Sequence, residues 1–161
     1  MPLLTAQLRK EHAKLMPHVD ELRVIADYAA EVPLASLQER LRREHEFLVG
    51  EFVPHMEAEQ ATLLPVMEEL LPDRHSFQHA HGEIRQLIAA LEQPRRSAAE
   101  PGASEWVLGQ RRALYQLYAL LKVHLAEEKL YTPILERQLT AAQETELAAR
   151  LEFGAPPAGQ E

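Results

Sequence analysis

Apolar residues return every three or four positions along nearly the whole chain, and that spacing leaves room for little besides helices. Leu8, Leu15, Val19, Leu22 and Ala26 form one stripe, and Leu41, Leu48, Phe52, Leu63 and Val66 a second. Phe77, Ile84, Leu87, Ile88 and Leu91 make a third, and Leu114, Leu117, Leu121 and Leu135 a fourth. No stretch alternates with the period of two that a half-buried strand requires. The pattern predicts helices over about 3–31, 35–64, 75–92 and 104–138, and a short fifth over 141–152 with Thr140 as its N-cap.

The breaks agree with these segments. Pro33 separates the first from the second, and Pro65 with Leu71-Pro72-Asp73 is expected to close the second. The stretch from Gln93 to Gly102, rich in Pro, Ser and Ala, reads as a linker. Four amphipathic helices with mostly short connections bury their stripes best as an up-down-up-down antiparallel four-helix bundle, here with a short extra C-terminal helix. At 161 residues this all-α chain fits a single domain, over 1–153, with a flexible tail at 154–161. Two prolines, Pro17 and Pro54, fall inside the helical pattern, and an internal proline costs a helix about 3 kcal/mol. Pro54 directly precedes His55, so the bend is either simply tolerated or serves to aim that residue inward.

Composition removes several kinds of function. With 17 Lys+Arg against 25 Asp+Glu, the net charge of −8 argues against nucleic-acid or anionic-membrane partners, which need a basic face. The absence of cysteine excludes disulfides, thiolate zinc sites, iron–sulfur clusters and thiol catalysis. The first dozen residues carry no apolar leader, and no stretch approaches a membrane span, so a cytoplasmic protein is expected. Tyr28, Tyr115, Tyr118, Tyr131 and Trp106 are expected at helix interfaces.

The eight histidines are the unusual feature. His55 and Glu59 in the second segment, and His124 and Glu128 in the fourth, form His-x-x-x-Glu pairs. That spacing stacks an imidazole and a carboxylate on one helix face. Both pairs share the face of an apolar stripe, where a carboxylate needs a counter-charge or a metal. Glu127 points further from the stripe, so Glu128 is preferred. His12 precedes His55 by 43 residues, and His81 precedes His124 by the same 43. The chain therefore reads as two helical hairpins, each with one histidine on its first helix and His-x-x-x-Glu on its second. Packed together they bring four imidazoles and two carboxylates to one level, a ligand set suited to iron, manganese or zinc. Sharing two carboxylates among four imidazoles implies two metals.

The residues Leu8-Arg9-Lys10-Glu11-His12, Pro54-His55-Met56-Glu57-Ala58-Glu59 through Leu64-Pro65, Ala80-His81-Gly82-Glu83-Ile84-Arg85, and His124-Leu125-Ala126-Glu127-Glu128 through Tyr131-Thr132-Pro133 follow one another in order. Together they resemble the hemerythrin family, in its bacterial HHE cation-binding branch, over about residues 5–137. The resemblance implies a four-helix bundle with a carboxylate-bridged non-haem di-iron centre, oxo- or hydroxo-bridged, that binds or reacts with O2, peroxide or NO. By the same resemblance His12 and His55 hold one iron, His81 and His124 the other, and Glu59 and Glu128 bridge. The O2-carrying members have a further histidine one turn before the third-helix ligand, where this chain has Phe77. Either that imidazole is missing, or His75 and His79 take its place. Both face roughly 140–160° away from the apolar stripe, which favours the first reading. A missing ligand argues against simple O2 transport and for peroxide or NO chemistry.

Three functions are then in contention. One is a di-iron protein that binds O2 or NO, and another is an enzyme consuming peroxide or NO at the same centre. The third is an interaction module whose fold depends on metal. The expected partner is a diatomic or peroxide ligand, and the expected assembly a monomer or weak dimer.

Overall fold

The computed structural model describes residues 3–70, 76–91 and 97–151, with the backbone alone for 76–78. Every regular element among the described residues is helical. Helix α1 spans Leu3–Tyr28, α2 Leu34–Phe47, α3 Val53–Leu70, α4 Ser76–Ala90, α5 Ala103–Glu136 and α6 Ala141–Arg150. A π turn over Leu48–Phe52 joins α2 to α3 without a break. The tail, the segment Leu71-Pro72-Asp73 and His75 lie outside the described residues, as does the side chain of Phe77. No described helix is long and apolar enough to cross a membrane.

Helix α1 ends a few residues before its expected limit. Glu31 and Val32 both donate to the Tyr28 carbonyl in a closing turn, because a residue preceding proline, here Val32, is disfavoured in the helical region. Pro33 then serves as N-cap of α2. At the other end Thr140 caps α6 in a reciprocal capping box with Gln143. Gly102, the N-cap of α5, takes a left-handed φ of 83° that a side chain would strain.

The expectation that Pro65 closes the second helix is corrected, since α3 runs through Pro65 to Leu70. The lost hydrogen bond and the ring clash cost about 3 kcal/mol. Continuing the helix keeps Leu64 and Met67 buried with Leu63, and each such side chain contributes about 1.5–3 kcal/mol. Burial outweighs the proline. Pro133 is carried through α5 in the same way, ahead of the fully buried Leu135.

The π turn explains how the second helix tolerates Pro54. The Val53 amide donates to Leu48, five residues back, where an α-helix would use the residue four back. Buried positions step by four from Glu44 through Leu48 and Phe52 to Met56, slower than the 3.6 residues of an α-turn. The extra residue absorbs that drift, and His55 emerges buried on the inner face.

Helices α1 and α5 run antiparallel along most of their length. Thr5 meets Glu136 at one end, Asp20 meets Lys122 along the way, and Asp27 accepts from the Tyr115 hydroxyl at the other end. Two apolar clusters result. The larger gathers Leu22, Phe52, Met56, Ile84, Leu117 and Leu121, and Trp106, Tyr115 and Tyr118 pack against it. The smaller joins Leu4, Leu8, Leu63, Met67, Leu135 and Leu147, with Tyr131 beside it. Tyr28 departs from expectation and is half exposed at the end of α1. Two acids of the C-terminal region cap the start of α1. Glu136 accepts from the Thr5 amide at 2.5 Å and its hydroxyl at 2.6 Å, and Glu144 accepts from the amides of Leu3 and Leu4.

Candidate metal centre

Between the two apolar clusters lies a polar layer. His12 comes from α1, His55 and Glu59 from α3, His81 from α4, and His124 and Glu128 from α5. Their donor atoms form two groups within which every atom lies within 4.8 Å of the others. One is His12, His55, Glu59 and Glu128; the other is Glu59, His81, His124 and Glu128. The six residues singled out from the sequence are thus the ones the fold gathers, and the two carboxylates belong to both groups.

Distances show how the sharing works. Glu59 places Oε1 2.8 Å from His55 Nε2, and Oε2 3.6 Å from His81 Nε2 and 3.7 Å from His124 Nε2. Glu128 places Oε1 2.5 Å from His124 Nε2 and Oε2 2.7 Å from His12 Nε2. Each carboxylate therefore spends one oxygen on a histidine of the first hairpin and the other on the second. His81 and His124 approach edge to face, with their Nε2 atoms 3.3 Å apart.

For four of these atoms close approach is not hydrogen bonding. His12 Nε2, Glu59 Oε1 and both oxygens of Glu128 are buried and lack any partner with hydrogen-bond geometry among the described residues. Buried carboxylate oxygens so placed cost several kcal/mol unless a cation satisfies them. The atoms converge on common space instead of on one another. Imidazole nitrogens and carboxylate oxygens are also the donor set that borderline divalent metals take. By both criteria the residues fit a pair of metal ions.

Charge in the metal-free cluster tells the same story. Burial opposes a proton on His124, yet the carboxylates of Glu128 and Glu59 outweigh it and push the imidazole up to about 10. Burial likewise works against a charged His55, and Glu59 and Glu128 overcome it to raise that group too. For His81 burial prevails, helped by the neighbouring His124, and the imidazole falls to about 4. Burial would lift Glu128, but His124 and His12 hold it well below the usual carboxylate range. A carboxylate held ionised in an apolar interior, as Glu128 is, demands positive charge, which protonated imidazoles supply when no metal does.

Among the described residues, His18, His45 and His79 stay outside the layer. His18 stacks on Phe47 with ring centroids 3.5 Å apart and pairs with the buried Glu44 at 3.1 Å. His79 is 83 % exposed and faces Glu83. Glu127 is half-buried and stands outside both groups. One feature had no clear sequence signal. A groove of about 490 Å³ runs between α1, from Thr5 to Met16, and α5, from Leu125 to Pro133, and reaches His12. His12 is accordingly 13 % exposed, whereas the other five side chains of the layer are at most 2 %. The small Ala13 and Ala126 beside the site are the only hint the sequence offers.

Comparison with known families agrees with the geometry. The family model described as Hemerythrin HHE cation binding domain matches residues 3–135. The chain belongs to the hemerythrin family, whose described property is binding a cation. No curated protein and no solved structure matches the chain.

Proposed function

We propose that this chain is a hemerythrin-like non-haem di-iron protein that binds O2 or NO, or reacts with peroxide, in the core of a four-helix bundle. His12 and His55 hold one iron, His81 and His124 the other, and Glu59 and Glu128 bridge them. The observation that carries this reading is the division of each carboxylate between histidines of the two hairpins. Manganese or zinc suits the same donors and can substitute. The up-down-up-down topology belongs to the same proposal. It is supported by antiparallel pairing of α1 with α5, and of α4 with α5 through His81 with His124 and Ala90 with Gln110.

Iron bound here supplies a Lewis-acidic, redox-active centre. The protein's own part is geometric and dielectric. Five nearly inaccessible side chains exclude bulk water, and the two apolar clusters hold the ligand-bearing helices in register. The groove at His12 gives a small molecule a route to one side of the layer. A peroxide- or NO-consuming enzyme on the same residues is the second reading, favoured by the groove that reaches His12.

Elemental analysis of the protein purified after expression with iron is the test. About two irons per chain are expected from the two ligand groups. One or none overturns the di-iron reading. With iron present, reversible uptake of O2 or NO marks a binder, and repeated evolution of O2 from peroxide marks an enzyme.

A further inference from the structure

The α1–α5 groove is far larger than a diatomic or a peroxide needs, because its 490 Å³ lies in the range of pockets for small organic molecules. Its walls are apolar: Leu8, Ala13 and Met16 from α1, and Leu125, Ala126 and Pro133 from α5. The groove follows α1 from Thr5 to Met16, a run of about 16 Å at 1.5 Å per residue. Among the described residues no aromatic side chain other than His12 lines it, so the groove suits an extended aliphatic chain better than a flat ring.

Its polar groups are uneven. Arg9 and Lys129 line the groove from opposite helices, both exposed, and no ion pair among the described residues engages either one. The two hydroxyls are committed elsewhere, Thr5 to Glu136 and Thr132 to the Glu128 carbonyl. Among the described residues no carboxylate lines the groove. In a chain of net charge −8, two uncommitted cations flanking an apolar slot form a local site for one negative charge.

We propose that this groove binds a medium-chain aliphatic monocarboxylate, its head between Arg9 and Lys129 and its alkyl body along the apolar walls. The occupant lies over His12, the one imidazole of the layer with appreciable exposure. It thereby governs access to the centre. Binding rests on the groove alone, and the consequence for access rests on the di-iron reading given above.

The test titrates the purified protein with sodium octanoate by calorimetry, with 1-octanol as the uncharged probe. Saturable octanoate binding is expected, weakened about tenfold by the Arg9→Gln/Lys129→Gln pair. The Lys10→Gln/Arg112→Gln pair, which removes the same charge outside the groove, is expected to leave it unchanged. Octanol is expected to bind more weakly than octanoate and to ignore both pairs. A diazirine-bearing octanoate analogue should label α1 around Leu8–Met16 and α5 around Leu125–Pro133 on irradiation. Absence of saturable binding, equal binding in the Arg9/Lys129 variant, or labelling confined to other segments overturns the site. Iron content of the same samples separates the two readings. Two irons without octanoate binding sinks the groove alone, and octanoate binding without iron keeps the anion site while removing its role at the centre.

Discussion

Glu128 shows what a single residue decides in this protein. Both its oxygens are buried against imidazoles without hydrogen-bond geometry, so its worth depends on what cation it meets. Glu128→Gln keeps the size and removes the charge, and bound iron is expected to fall from about two to one or fewer per chain. Glu127→Ala, one position earlier and outside the layer, is expected to leave iron at the parent level. Reversal of these two results would move the ligand to Glu127. His124→Ala probes the same charge balance without metal. Removing the imidazole takes from Glu128 its strongest positive partner, and urea unfolding of the metal-free protein is expected to show a loss of about 3 kcal/mol.

At the level of the element, the π turn before Pro54 is the feature with most consequence. Deleting Gly50 takes the one extra residue from that turn and lets it close as an α-turn, with α3 kept in phase with α2. His55 and Glu59 then stay in the layer together. The expected result is retained helical circular dichroism with bound iron near the parent level. Lost iron would show that the wide turn itself, and not only the phase it preserves, aims His55. The N-terminus of α1 offers a contrasting case. Glu136 accepts from the amide and hydroxyl of Thr5, so Glu136→Ala is expected to cost about 1 kcal/mol in urea unfolding. Iron content should not change, because the cap lies in the smaller apolar cluster.

Across the whole molecule, a charged layer separates two apolar clusters, and the folded state carries that layer as a liability until it is neutralised. A metal that binds the assembled layer more tightly than the unfolded chain stabilises the fold. At a free concentration about a thousand times Kd it adds about 4 kcal/mol of stability. The melting temperature is therefore expected to drop on chelation and to recover on adding Fe(II). Equal melting with and without metal would contradict the layer as a metal site, and would also remove the reading of a module whose fold depends on metal.

Helical phase and spacing are local properties, and the sequence by itself determined them. The 3–4 residue stripes mark the helices, and the matched 43-residue intervals tie His12 to His55 and His81 to His124. His-x-x-x-Glu puts each pair on the buried face because 100° per residue leaves it no other. Thr140 was legible as a cap for a similar reason, since capping involves only residues within one turn. Where the outcome depended on distant partners, local reading failed. Pro65 looked like a helix end because its cost is local, while the gain from burying Leu64 and Met67 comes from α1, α5 and α6. Which oxygen of Glu59 or Glu128 faces which imidazole was settled by packing between helices, as were the capping of α1 by Glu136 and Glu144 and the groove beside His12. These are relations between surfaces that meet only after the chain has folded, and no periodicity along the sequence encodes them.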